Sequence, residues 1–285
     1  MDRVALIYNP ASGQEWPRRQ AVVDKTLALL REAGVHAELT VWDDPSVEWN
    51  HFDLVVIRST WDYTARRSDF LAWAKGVRHL LNPFSVVAYS TDKHYLADLA
   101  KHGVAIIPSH FCDVGKKPRF FDGDFVVKPS VGAGSMDVAR YGPAEHDAAL
   151  AHVKALHATG RDVVIQPYVE SVDALGERAL IFIDGAYSHA MTKGAMLNVT
   201  ELDRSRLYRR ERMSVAVGES DAVAFARHVL EVKAFSHLLY ARVDLVATKT
   251  GWEVMELELV EPSLFLTFEP AAATRLAEAI ARRVA

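Results

Sequence analysis

Near the C-terminus the chain carries Glu256-Leu-Glu-Leu-Val-Glu261-Pro-Ser263, preceded by the apolar pair Val254-Met255. In an extended strand side chains alternate, so Glu256 and Glu258 share one face while Leu257 and Leu259 share the other. Two neighbouring carboxylates repel each other and are costly to desolvate unless a cation sits between them. Mg²⁺ suits such a pair, because it is held through one or two carboxylates together with the oxygens of a phosphate. The same pattern also fits an edge strand with a solvated acidic face. Fourteen and twelve residues before Glu256, Arg242 and Asp244 share a face of another strand-like run, Ala241–Ala247. A hairpin of these two runs offers several carboxylates and one guanidinium on one side, and Arg242 is placed to stabilise a phosphoryl group in transfer. A structural cluster of ion pairs is the competing reading.

Three further groups of residues suit a nucleoside triphosphate. The strand Asp124–Lys128 ends in Lys128-Pro129 and enters Ser130-Val-Gly132-Ala-Gly134-Ser135. Lys128 is a point charge for phosphate, and the loop around Gly132, Gly134 and Ser135 can turn its amides toward anionic oxygens, although such loops are often plain turns. Lys93 stands at the predicted start of a helix, where a cation opposes the macrodipole unless it serves another charge. The strand Asp162–Gln166 runs into Pro167-Tyr168-Val169, whose main-chain groups can pair with a purine edge. Glu170 or Asp173, just beyond, is positioned for ribose hydroxyls. Asn9-Pro-Ala-Ser-Gly13 resembles a lipid-kinase loop, but the Gly-Gly-Asp-Gly run those kinases need is absent, which discounts that chemistry.

Alternating strands and helices must carry these residues. Val4–Tyr8, Ala37–Val41 and Asp53–Arg58 read as strands, with helices at Arg18–Ala33 and Asp69–Leu81, a parallel α/β layer. A helix capped by Thr91 is expected from Lys93 to Gly103. Strands flanking the helix Pro143–Thr159 predict a small α+β lid. Arg178–Ile183, Gly185–His189, Ala241–Ala247 and Trp252–Leu259 predict an antiparallel sheet, with helices at Ser220–Leu238 and Ala271–Arg283 and a polar stretch at Asn198–Gly218. The expected units are residues 1–90 (α/β), 91–118 (a linking helical segment), 119–185 (lid) and 186–285 (sheet domain with the metal site).

Bulk properties bound the partners. At 285 residues, 50% apolar and 25% charged, the chain is of ordinary globular composition and long enough for two or three packed units. A net charge of −4 gives no reason to expect nucleic acid. The lone Cys112 excludes a disulfide framework and a cysteine-rich metal site. No stretch is long enough to cross a bilayer, and the opening run lacks a signal-peptide layout, so a cytoplasmic protein without membrane partners is expected.

Taken in order, Lys93, the Lys128–Ser135 loop, the Gln166–Val169 hinge and the Arg242/Asp244/Glu256/Glu258 hairpin resemble the ATP-grasp superfamily across nearly the whole chain. The resemblance implies that Lys93 and Lys128 grip the α- and β-phosphates of ATP, that Gln166, Pro167, Tyr168 and Val169 read adenine, that Asp173 takes the ribose, and that Asp244, Glu256 and Glu258 hold Mg²⁺. Relatives resembling glutathione synthetase usually have Asn where Glu258 stands, so this site carries an extra negative charge. Arg58-Ser-Thr-Trp-Asp-Tyr63 and Glu258-Leu-Val-Glu-Pro-Ser-Leu-Phe265 resemble a subgroup of small-molecule ligases that includes cycloserine-forming enzymes. That implies an amino-acid-like substrate, activation of its carboxylate as an acyl phosphate, and closure of O-ureido-D-serine to D-cycloserine with loss of carbon dioxide and ammonia. An intermolecular carboxylate–amine ligase needs the same activated carboxyl. A nucleotide-binding module without ligase activity is opposed by the intact Lys93, Lys128, Arg242, Asp244 and Glu256.

Arg58, Ser59 and Asp62, at the C-terminal end of a strand, are the expected grip on the substrate. Trp61 and Tyr63 are expected as interface packing. Lys193 is read as a γ-phosphate or substrate contact and His189 as a packed or surface histidine. The five arginines within Arg204–Arg212 suit either a solvated loop or a flap that excludes water from an acyl phosphate. The family also allows a homodimer.

Overall fold

The computed structural model describes residues 3–8, 17–195, 213–233, 235 and 237–284. The expected flap at Arg204–Arg212 and the Asn9–Gly13 loop lie outside these residues. Three sheets organise the described chain. The first has the order β2-β1-β3-β4, all parallel, from β1 (Arg3–Tyr8), β2 (His36–Thr40), β3 (Leu54–Ser59) and β4 (Leu80–Leu81). Its central strands are continuous apolar runs because both faces are covered. Val4 and Leu6 meet one core, and Ala5 and Ile7 join Trp42, Tyr63 and Phe70 in another. Helix α1 (Pro17–Glu32) makes the first crossover. Gly34, at φ +81°, takes the left-handed position that commonly ends a helix.

Helix α2 (Arg67–Gly76) ends sooner than the expected Leu81. Leu80 and Leu81 leave it to extend along β3, where Val55 N–H donates to the His79 carbonyl at 2.9 Å. Thr91 is also not an N-cap. It closes α3 (Phe84–Ser90), and its hydroxyl accepts a bond from Arg67 Nε at 2.9 Å. The following helix, α4 (Tyr95–Lys101), starts two residues beyond Lys93, so Lys93 sits in the turn between two helices.

The lid is a four-stranded antiparallel sheet in the order β5-β8-β6-β7, from β5 (His110–Cys112), β6 (Phe125–Pro129), β7 (Ala139–Tyr141) and β8 (Val163–Pro167), with α5 (His146–Ala158) against it. After α6 (Ser171–Leu175), the third sheet is antiparallel, in the order β11-β10-β9-β12-β13. It comprises β9 (Glu177–Ile183), β10 (Ala186–Lys193), β11 (Met213–Ala216), β12 (Tyr240–Thr248) and β13 (Gly251–Glu258). Met213–Ala216, expected within a polar stretch, instead pairs with the end of β10. Helix α7 (Ser220–Val232) stops short of the expected Leu238, and α8 (Pro270–Ala281) packs between the first and third sheets in one shared core. Among the described residues no helix is long and apolar enough to cross a membrane.

Candidate active site

The charged hairpin is set by strand register. β12 and β13 pair with Arg242 opposite Glu258 and Asp244 opposite Glu256, so all four side chains meet on one face. β13 is an edge strand, but its outer backbone is covered. Leu257 N–H donates to the Tyr95 hydroxyl at 2.9 Å, Leu259 N–H donates to Ser90 Oγ at 3.2 Å, and Ser90 Oγ donates to the Leu257 carbonyl at 3.0 Å. Glu256 and Glu258 therefore face a cleft between the lid and the third sheet.

Four cations meet four carboxylates here. Arg242 grips Asp244 through Nε–Oδ1 at 2.9 Å and Nη2–Oδ2 at 3.0 Å, and its Nη2 also contacts Glu258. Lys193 Nζ lies 2.6 Å from Asp244 and 2.7 Å from Glu177. Lys93 Nζ lies 3.1 Å from Glu256 and donates to the Gly132 carbonyl at 3.1 Å, while its backbone N–H donates to Ser130. Lys128 is buried among them. Desolvation brings its pKa down to about 8 despite the pull of Glu256. Burial would raise Glu256, yet Lys93, Lys128 and Lys193 hold it down at about 2. Glu258 goes the other way. Burial, with Glu256 and Asp244 beside it, outweighs Arg242 and lifts it to about 7. Asp244, Glu256 and Glu258 each offer an oxygen within 4.8 Å of the others, a hard all-oxygen donor set that fits Mg²⁺.

One cleft brings together most of the residues singled out by the sequence. Lys93, Lys128, Gly132, Gly134 and Ser135 line it, as do Gln166, Pro167, Tyr168 and Val169 on the lid side, and Lys193, Arg242, Glu256 and Glu258 on the sheet. Asp244 lies directly behind them, fully buried. Gly132 has room for no side chain without displacing Pro129, whose Cγ would stand 3.0 Å from an added Cβ.

Others are elsewhere. Asp173 is not at the cleft wall: its carboxylate accepts from the Tyr168 hydroxyl at 2.5 Å and lies 3.7 Å from Arg140. Asp62 turns away from the cleft, accepting from Trp42 Nε1 at 3.0 Å and Arg66 Nη2 at 2.8 Å. Ser59 is buried in β3, and the Arg58 guanidinium lies 5.1 Å from the centre of the Tyr240 ring. Trp61 and Tyr63 are buried, with Tyr63 stacked on Phe70 in the core as expected of packing residues, and both also line the cleft. The reason is a short 3-10 helix at Trp61–Ala65, which breaks the alternation of β3. His189 is buried as expected, with Nε2 3.0 Å from the Leu264 carbonyl.

The sequence reading missed Glu177 and Glu261, both at the cleft wall. Glu177 follows Gly176, whose φ is +70° and whose added Cβ would stand 2.6 Å from the Lys193 carbonyl, so only glycine lets this corner close on Lys193. Glu261 was visible as a third acidic residue beyond the strand.

A family model described as the N-terminal domain of D-cycloserine synthetase DcsG matches residues 10–82. The cycloserine biosynthesis protein DcsG of Streptomyces lavendulae is 41% identical over 278 residues, covering 90% of this chain and 92% of that one. The crystal structure of D-cycloserine synthetase DcsG superposes with a TM-score of 0.86 at 37% identity, over 99% of this chain and 100% of that chain. The D-alanine–D-alanine ligase of Bacillus anthracis, solved with ATP, gives 0.70 at 14% identity, over 100% and 97%. A RimK-domain ATP-grasp protein of Sphaerobacter thermophilus gives 0.68 at 17%, over 99% of each chain, and these two support the fold alone. By similarity along nearly its whole length, the chain belongs to the D-cycloserine synthetase DcsG family and carries the ATP-grasp fold.

Proposed function

We propose that this chain is an ATP-dependent, ADP-forming ligase that closes O-ureido-D-serine to D-cycloserine. The observation that carries the reading is the continuity of one cleft. Lysines suited to phosphates line it together with Trp61, Tyr63 and Glu261, suited to a small polar substrate, and with Arg242, where a phosphoryl group would change hands.

In this reading Lys93 and Lys128 bind the α- and β-phosphates, and the Gln166–Val169 edge of the lid holds adenine. A substrate carboxylate oxygen attacks the γ-phosphorus, the bond to the bridging oxygen breaks, and ADP leaves. Arg242 and Lys193 neutralise the charge that builds on the transferred group. Mg²⁺ held by Asp244, Glu256 and Glu258 would supply further charge neutralisation. The ureido nitrogen bound to oxygen then attacks the acyl carbon and expels phosphate, closing the ring. Loss of the carbamoyl group with water releases carbon dioxide and ammonia. Both reacting groups belong to one molecule, so holding it folded supplies the proximity advantage.

Incubation with ATP, Mg²⁺ and O-ureido-D-serine should give ADP and D-cycloserine in equal amounts by mass detection. ADP formation only with another amino acid plus an amine would replace ring closure by intermolecular ligation. No ADP with any carboxylate would leave only nucleotide binding.

Lys128 gives an independent check on the phosphate end. With a pKa of about 8, it is half protonated at pH 8, and arriving phosphates raise it. Binding of metal-free ADP at pH 8 should therefore take up about half a proton at Lys128. The buffer dependence of the calorimetric enthalpy reads the total uptake, to which Glu258 and Glu261, raised to about 7 and about 8, also contribute, and Lys128→Arg should lower it by that half proton. Equal uptake by both proteins would remove Lys128 from the phosphate site.

A further inference from the structure

Beyond Glu258 the cleft continues along a wall formed by Trp61, Tyr63, Val260, Glu261 and Ser263. Glu261 is only 8% exposed, and its carboxylate accepts a hydrogen bond from the Tyr63 side chain. Among the described residues no ion pair reaches it. Lys93 and the buried Arg58 both exert charge on it, but Lys93 is committed to Glu256 and Arg58 lies outside the cleft.

Tyr240 pins this wall to the end of β3. Its buried hydroxyl lies 2.6 Å from the Ile57 carbonyl and 2.7 Å from the Val260 carbonyl. The residues that follow those carbonyls are Arg58 and Glu261. The Arg58 guanidinium lies over the Tyr240 ring, and its Nη1 is buried with no hydrogen-bond partner among the described residues. Arg58 acts on Glu261 only through its charge. The Glu261 carboxyl thus lines the cleft buried and without a bonded cation, which is costly, so a ligand with a cationic group completes it. The ammonium of an α-amino acid is such a group.

We propose that Glu261 is the seat of the substrate's α-ammonium group, which makes a free amino group a requirement of this cleft. The inference rests on the reading that the cleft activates an amino-acid carboxylate, and it names the group that orients that carboxylate. Glu261 follows Glu258 by three residues, at most about 11 Å of backbone. One small amino acid can therefore touch Glu261 with its ammonium while its carboxyl reaches the phosphoryl end. Burial and the neighbouring Glu258 push the Glu261 carboxyl up to about 8, as befits a carboxyl awaiting its cation.

The test compares binding of O-ureido-D-serine and its des-amino counterpart, 3-(ureidooxy)propanoate, to the wild-type chain, Glu261→Gln and Glu261→Asp by calorimetry, with ADP affinity measured alongside. Wild type should prefer the amino compound by about 10–100-fold, the range of a charge-assisted hydrogen bond. Glu261→Gln should lose most of that preference through weaker binding of the amino compound alone, with ADP affinity kept. Glu261→Asp should retain part of it. Equal weakening of both compounds in Glu261→Gln would assign the residue to packing, and an unchanged preference would place the ammonium elsewhere; either overturns the proposal, as does failure of both compounds to bind wild type. ADP formation separates this from the ligase reading. A preference that depends on Glu261 without any ADP release would sink the reaction and keep the ammonium seat, whereas ADP release without such a preference would do the reverse.

Discussion

Replacing Glu256 by Gln should reduce ADP formation by about 10²–10³-fold, the usual loss when one group stabilising transferring charge is removed. Gln keeps the volume and the strand, so the effect isolates the charge. Glu256 stays ionised to about pH 2 because Lys93, Lys128 and Lys193 surround it, and Asp244 and Glu258 stand close enough to share one cation with it. The variant has a distinguishing signature in binding. Without metal, ATP should bind at least as tightly as to wild type, since one negative charge has left a site of three lysines. With Mg²⁺ the usual gain should shrink or vanish, because a donor oxygen of the set no longer carries charge. Circular dichroism and the unfolding temperature check that the fold is kept. A kcat within about threefold of wild type would remove Glu256 from the metal site, the threshold being far below the effect of such a group.

What could be read ahead of the structure follows from how local each signal is. The Arg242/Asp244/Glu256/Glu258 face was legible because alternation within each strand is local and puts Arg242 with Asp244 and Glu256 with Glu258. Their pairing across the hairpin was not countable from the two-residue turn, because an irregularity between Asp244 and Leu245 shifts the register by one residue. Glu177 was not legible, although its strand also forms a tight hairpin with its neighbour. Counting back from the Asp184-Gly185 turn pairs Glu177 with Thr192. An irregularity between Tyr187 and His189 shifts the register by one residue and brings Lys193 opposite Glu177 instead. Lid strands β5 and β7 are three residues each, too short to show a period. The segment Arg58–Tyr63 was recognisable as unusual, but which of its side chains enter the cleft depended on the 3-10 turn after β3, and that turn exchanged Asp62 for Trp61 and Tyr63. Asp173 illustrates a different limit. An acidic residue beyond the hinge was evident, yet its engagement with Tyr168 and Arg140 is a tertiary choice that no local pattern encodes.

Asn82→Ala should be the most destabilising single change among the polar residues that join the first sheet to the third. Asn82 is fully buried just after β4. Its Nδ2 donates to the Tyr240 carbonyl at 2.9 Å and the Leu259 carbonyl at 2.6 Å, and its Oδ1 accepts from Leu239 N–H at 2.8 Å. Alanine would leave two carbonyls and one N–H buried without these partners, at about 1–3 kcal/mol each and on the order of 4 kcal/mol together. For a chain of this size that corresponds to a fall of roughly 7 °C in the unfolding temperature. The site should respond unevenly. Tyr240 opens the strand that carries Arg242 and Asp244, and Leu259 stands between Glu258 and Glu261, so the substrate end of the cleft loses its support. Lys93 is held separately, through Ser130 and Gly132 of the lid loop. Well below the unfolding temperature, the KM for the amino-acid substrate should therefore rise more than the Kd for ADP. A loss of thermal stability under about 2 °C would show that water replaces all three bonds at little cost, and parallel losses in both affinities would show that Asn82 supports the cleft as a whole.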